Sequence, residues 1–168
     1  PGAFFEESLK KKEALIGNIE LNWLEKNSQM RKTWVTKTLS DLETKTTGKS
    51  WQGGVVHPLQ LAVDVMETME NGDHLVFDGA NTHFWSEIAA NLVAQQGKNL
   101  STIMHPGSFS LLGLGVSFAL SLKRIHVGDT VILISGDGAF LSGGLSIELA
   151  FQENLPIVVI VDNNGGLD

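Results

Sequence analysis

Two short apolar runs, 131–135 (VILIS) and 157–161 (IVVIV), each ending in a polar, glycine-bearing tip, constrain this chain more than any other feature. Apolar runs of this length predict buried strands. Between them, LSGGLSIELAFQEN places apolar residues at Leu145, Leu149 and Phe151, which predicts a helix beginning near Gly143 or Gly144. Strand, helix, strand over about thirty residues is a βαβ unit. Its crossover is right-handed and its strands parallel. Both tips, Gly136-Asp137-Gly138 and Asp162-Asn163-Asn164-Gly165-Gly166, then fall on the carboxyl edge of the sheet, where open α/β sheets bind ligands.

The segment from Val55 onward repeats this alternation. Pro58 opens a predicted helix running to about Glu70 and ended by Asn71-Gly72. Strands are predicted from His74 to Phe77 and from Leu100 to Met104, with a loop over 78–82 and a helix over 84–95. A further helix is predicted over 109–123, where Gly113 and Gly115 allow close approach to the sheet. The fold class is therefore α/β: an open parallel sheet with helices on both faces. Residues 1–54 differ in composition. They hold most of the lysines, mixed with acids, and place Leu15, Ile19, Trp23 and Leu24 near helical spacing, with Trp34, Val35, Leu39 and Leu42 as a second amphipathic segment. Residues 44–54 are expected to be a loop.

The two tips have a chemical meaning. One carboxylate, one side-chain amide oxygen and nearby carbonyls are hard donors. Mg²⁺ takes one or two protein carboxylates and completes its octahedron with water or phosphate oxygens. Glycines let backbone N–H groups approach an anion, and a following helix N-terminus favours negative charge. A magnesium-bridged diphosphate is the ligand these residues suggest.

Gly136-Asp137-Gly138 followed by Asn163-Asn164 resembles the diphosphate motif of thiamine-diphosphate enzymes, and GDGAFLSGGLSIELAFQENLPIVVIVDNNGG resembles their acetolactate synthase-like group. That group includes benzaldehyde lyase, oxalyl-CoA decarboxylase and 2-hydroxyacyl-CoA lyase. The resemblance implies thiamine diphosphate and Mg²⁺ as cofactors, with Asp137, Asn164 and the Gly166 carbonyl as metal ligands. It implies diphosphate contacts from Gly136, Gly138, Ala139 and Phe140 through backbone N–H groups, and from Asn81 and Thr82. Many relatives carry serine where Ala139 stands. Gly107-Ser108-Phe109 resembles the family's Gly-Ser-Met, which makes Phe109 the apolar residue that bends the cofactor. Taken singly, Asp137 is a turn carboxylate, Asn164 an Asx-turn and Thr82 a helix cap. Glu148 resembles an acidic position of the oxalyl-CoA decarboxylase branch and otherwise lies on a solvated helix face. His83 is read as a packed or solvated residue. His57, His74, His105 and His126 show no ligand spacing.

The resemblance covers 55–168 and implies two parts: 1–54, the helical tail of a preceding domain with its linker, and 55–168, the diphosphate-binding domain, truncated at its C-terminus. It further implies a decarboxylase or carboligase acting on 2-keto acids, or alternatively a 2-hydroxyacyl-CoA or aldehyde lyase. The catalytic glutamate comes from the pyrimidine-binding domain of a second subunit in a homodimer or homotetramer. No catalytic residue is assigned on this chain, which alone is expected to be inactive and to bind cofactor poorly. A non-catalytic interaction module derived from the fold is the alternative of another class. A Rossmann dinucleotide site fits less well, because Gly113-Leu114-Gly115 follows no predicted strand and lacks the third glycine.

Composition narrows the partners. The net charge of −7 argues against nucleic acid, and the absence of cysteine excludes disulfides and thiolate metal sites. The apolar stretch 111–122 is interrupted by glycine and falls short of the roughly 20 residues that span a bilayer. A cytoplasmic protein is the expectation.

Overall fold

The computed structural model describes residues 23–46, 56–104 and 111–166. The chain divides into two compact units, Pro1–Gln52 and Gly53–Asp168.

In the first unit one helix is described, α1 (Trp23–Thr46). It covers the second of the two expected helical segments and the last residues of the first. Its Thr33 and Thr38 hydroxyls donate to the carbonyls of Gln29 and Trp34, one turn back. Val35 is buried, whereas Trp23, Met30 and Trp34 are exposed. Leu15 and Ile19 lie outside the described residues.

The second unit opens with α2 (Pro58–Thr68). The His57 ring caps it, with Nδ1 accepting from the Leu59 N–H at 3.2 Å, and Pro58 takes the first turn, where its missing N–H costs nothing. At the other end Lys98 Nζ donates to the carbonyls of Met66 and Glu67, orphan acceptors of the last turn. Strand β1 (His74–Asp78) follows and is buried along its whole length. Helix α3 (Asn81–Gln95) begins three residues before its expected start and leads to β2 (Thr102–Met104).

Helix α4 spans Gly115–Ile125. The expected start at Phe109 is not met, because residues 111–114 are not helical. Gly113 has φ +90°, and a Cβ there would lie 2.9 Å from Ser142 Cβ and 3.0 Å from Gly143 N. Close backbone packing at this point ends helical geometry. The buried Asp78 carboxylate completes the start of α4: its Oδ2 accepts from the N–H groups of Gly113 (2.9 Å) and Gly115 (2.7 Å).

Strand β3 (Val131–Gly136) runs directly into α5 (Asp137–Gly143), a 3₁₀ turn (Gly144–Ser146) and α6 (Ile147–Gln152). The helical path thus starts at Asp137, earlier than the expected Gly143 or Gly144. Asp137 Oδ1 accepts from the Gly138 N–H at 2.7 Å and so serves the first turn. The break comes at Gly143, where a Cβ would collide with the Gly113 carbonyl. Leu145 and Phe151, expected to mark a core face, are about nine-tenths exposed (93% and 90%). Phe140 and Ala150 make the contact with the core instead.

Strand β4 (Val158–Asp162) completes a sheet of order β2-β1-β3-β4, parallel throughout. Its expected full burial is not observed: Val158 and Val161 are well exposed. The reason is position, since β4 is an edge strand whose partner in the sheet is β3. The core joins Val76, Val131 and Leu133 of the sheet to Val116, Ala119, Leu120 and Leu122 of α4. Truncating one such fully buried leucine costs about 2–5 kcal/mol. The crossover from β1 through α3 moves outward to β2, and the one through α4 returns past β1 to β3. With both right-handed, α3 and α4 cover opposite faces. Among the described residues no helix is long and apolar enough to cross a membrane.

Candidate functional site

The strand order creates a switch point. From β1 the chain leaves toward β2, and from β3 it leaves toward β4, so the segments beyond β1 and β3 part in opposite directions. A crevice opens there, at the carboxyl ends of the two central strands. Register levels the tips: Asp78 lies opposite Ser135, and Gly136 opposite Asp162.

The crevice floor is backbone. Gly79 has φ +117°, and a Cβ on it would meet Gly136 N at 3.2 Å, while a Cβ on Gly136 would meet Thr82 Oγ1 at 3.2 Å. Glycine at both positions keeps the floor open. Around it, Gly79, Ala80, Asn81 and Thr82 from the first tip, Gly136, Asp137, Gly138 and Ala139 from the second, and Asn164 and Gly166 from the third line one solvent-open cleft.

Eight residues singled out from the sequence therefore meet in one place: Asn81, Thr82, Gly136, Asp137, Gly138, Ala139, Asn164 and Gly166. Phe140 does not bring its side chain there; its ring packs on the core. Phe109 lies outside the described residues. Leu112 was not anticipated, and it is the large apolar side chain lining the cleft.

Hydrogen bonds tie the tips together. Thr82 Oγ1 donates to Asp162 Oδ2 at 3.0 Å, joining the first turn of α3 to the end of β4. Asp137 Oδ2 accepts from the Gly165 N–H at 3.2 Å. Asn164 Oδ1 accepts from the Gly166 N–H at 3.1 Å, an Asx-turn. A carboxylate or amide oxygen carries two lone pairs, so accepting one N–H is compatible with ligating a cation. A carboxylate, an amide oxygen and the Gly166 carbonyl are the hard-oxygen set that Mg²⁺ takes; in the first turn of α5 the Gly138 N–H is taken by Asp137 Oδ1, and that of Ala139 has no backbone acceptor within the helix. The donor chemistry and the Cβ-free floor fit a magnesium-bound diphosphate.

Two acidic residues were missed as structural parts of the site. Asp78 sits at the tip of β1 and holds the Gly113–Gly115 turn, and Asp162 anchors Thr82. The available signal was a carboxylate at the C-terminal end of each predicted strand. Glu148 is solvent-exposed and accepts from Gln152 Nε2 at 3.4 Å, as a solvated helix face requires. His83 stacks on Phe77 (ring centroids 5.3 Å apart) and meets Glu87 at 3.3 Å.

Residues 86–168 match the family described as thiamine pyrophosphate enzyme, C-terminal TPP binding domain. The chain is 30% identical over 105 residues to oxalyl-CoA decarboxylase of Escherichia coli (strain K12), covering 58% of this chain and 16% of that protein. It is 31% identical over 111 residues to human (Homo sapiens) 2-hydroxyacyl-CoA lyase 2, covering 66% and 17%. It is 24% identical over 139 residues to acetolactate synthase of Bacillus subtilis (strain 168), covering 79% and 23%. The chain thus spans less than a quarter of the length of these relatives.

Proposed function

Because the chain belongs to the thiamine-diphosphate-dependent enzymes, through the domain match over residues 86–168, we propose that it supplies the diphosphate- and magnesium-binding half of a split active site. The observation carrying this is the meeting of Asp137, Asn164 and Gly166 with the glycine floor of a single cleft at the switch point. Asp137, Asn164 and the Gly166 carbonyl hold Mg²⁺. Backbone N–H groups of Gly138, Ala139 and Phe140, together with Asn81 and Thr82, take the phosphate oxygens. Leu112, and Phe109 as the sequence suggests, press on the apolar part of the cofactor. When bound, thiamine diphosphate supplies the electron-accepting chemistry for making or cleaving a C–C bond next to a carbonyl. This chain's part is to anchor and orient it and to exclude water from it.

The complete enzyme under this proposal is a cytoplasmic homodimer or homotetramer. The pyrimidine-binding domain of a second subunit faces this cleft. The substrate is a 2-keto acid, as in a decarboxylase or carboligase. A 2-hydroxyacyl-CoA or oxalyl-CoA substrate is the second reading. It is favoured by the 30–31% identity to enzymes named for those substrates, against 24% to acetolactate synthase. Calorimetry with thiamine diphosphate, with Mg²⁺ and then with EDTA, tests the binding half. Turnover of pyruvate against 2-hydroxyacyl-CoA by the complete enzyme separates the substrates. Heat evolved equally with and without Mg²⁺ would contradict the metal assignment.

A further inference from the structure

The opposite edge of the sheet holds a second cluster that the proposed function does not use. His74 begins β1 and is buried; His126 and Asp129 belong to the turn between α4 and β3. No local spacing links these residues, as the sequence indicates, and it is the fold that brings them together. One ligating atom from each lies within 4.8 Å of the others. His74 Nε2 is 3.0 Å from Asp129 Oδ2, and His126 Nδ1 is 3.5 Å from the same oxygen. The two rings are tilted, with centroids 4.2 Å apart.

Ser101 Oγ lies 3.0 Å from His74 Nδ1 and 2.9 and 3.1 Å from the Gly72 and Asp73 carbonyls, so the ring is held at its distal nitrogen. In the tautomer with its hydrogen on Nδ1, His74 turns the Nε2 lone pair toward Asp129 Oδ2, and a cation can be shared by the two. A hydrogen-bond partner on the distal nitrogen is the arrangement that orients metal-ligating imidazoles. Two neutral rings and one carboxylate make a three-donor set.

We infer that His74, His126 and Asp129 form a site for a borderline divalent ion of the zinc type, on the edge of the sheet away from the diphosphate cleft. Two nitrogens and one oxygen with an open fourth position suit Zn²⁺, whose bonds of about 2.0–2.1 Å place tetrahedral donors about 3.3 Å apart. The His74–Asp129 and His126–Asp129 spacings already approach that value. His126 (side chain 40% exposed) and Asp129 (46%) have room to adjust and to admit a water as fourth ligand. The turn itself is pre-formed. The buried Lys123 donates through Nζ to the carbonyls of Val127 (2.9 Å) and Asp129 (2.6 Å). The ion would clasp the start of β1 to the turn entering β3. Mg²⁺, which prefers oxygen, competes poorly for two imidazoles.

The test is Zn²⁺ titration of the metal-stripped chain, prepared without a polyhistidine tag, against a chromophoric chelator with millimolar Mg²⁺ present throughout. One equivalent should bind per chain. His126→Gln and Asp129→Asn, both at exposed positions, should each weaken binding more than tenfold. Ser101→Ala should weaken it by about 10–100-fold through loss of the fixed ring orientation. Zn²⁺ should also raise the thermal midpoint of the parent chain but not of His126→Gln. Absence of a zinc equivalent under these conditions, or equal affinity in parent, His126→Gln and Asp129→Asn, would overturn the site.

Discussion

The Asp137 carboxylate accepts a hydrogen bond from the Gly165 N–H at 3.2 Å, so the tip of β3 and the turn after β4 touch through the residue proposed as the principal metal ligand. The contact explains how two loops separated by a helical excursion keep a common register. It also sets the first prediction. Asp137→Asn keeps one of the two oxygens that accept from Gly138 and Gly165, loses the other, and removes the charge that attracts Mg²⁺. Loss of one hydrogen bond at this site should cost about 0.5–1.5 kcal/mol. Affinity for thiamine diphosphate in Mg²⁺ should fall at least tenfold by calorimetry. Unchanged affinity would remove Asp137 from the metal site.

Thr82 and Asp162 form the second tie across the cleft, at 3.0 Å. Thr82→Val keeps the shape and removes the donor. A hydrogen bond to a charged acceptor contributes about 1.5–3 kcal/mol, and partial exposure of Asp162 puts the expected loss at the low end. The urea midpoint should drop while the m-value stays constant. An unchanged midpoint would mean that the tie contributes nothing to stability.

Asp78 accepts from two backbone N–H groups at the start of α4, and its Oδ1 is buried with no hydrogen-bond partner among the described residues. Asp78→Ala strands both donors and should cost about 2–5 kcal/mol. Asp78→Asn retains an accepting oxygen and should cost less than half as much. Equal losses in urea unfolding would show that the hydrogen bonds are not what the carboxylate supplies.

Glycine positions separate sterics from backbone freedom. A Cβ on Gly115 would lie 2.8 Å from both Asp78 Cβ and Leu133 Cδ1, whereas one on Gly128 would meet nothing within 4 Å. Gly115→Ala should destabilise by about 1–3 kcal/mol through overpacking. Gly128→Ala should be neutral or slightly stabilising. A neutral Gly115→Ala by urea unfolding would contradict the close approach of α4 to the sheet.

Strand positions and polar tips were legible because buried runs and glycine-bearing ends are local signals. The parallel order then follows from crossover handedness alone, and it brings Asn81 beside Asp137 without any knowledge of side-chain contacts. Helix starts were less legible. Gly136-Asp137-Gly138 was expected to form a turn, yet Asp137 begins a helix by satisfying its own first turn. The later start of α4 depends on Gly113 packing against Gly143, a contact between distant segments. Leu112 and the His74–His126–Asp129 cluster escaped notice for the same reason: only the fold makes them neighbours. The exposure of Leu145, Phe151, Val158 and Val161 shows the limit of hydropathy, which marks apolar residues but not which covering they find.

Residue-resolved amide NMR of the 18.2 kDa chain, titrated with thiamine diphosphate in Mg²⁺ and again in EDTA, tests the diphosphate half-site most directly. The method registers weak binding as well as tight. The expected result is Mg²⁺-dependent shifts confined to Gly79–Thr82, Gly136–Phe140 and Asn164–Gly166, lost in Asp137→Asn. Shifts independent of Mg²⁺, or centred away from these three tips, would contradict the assignment.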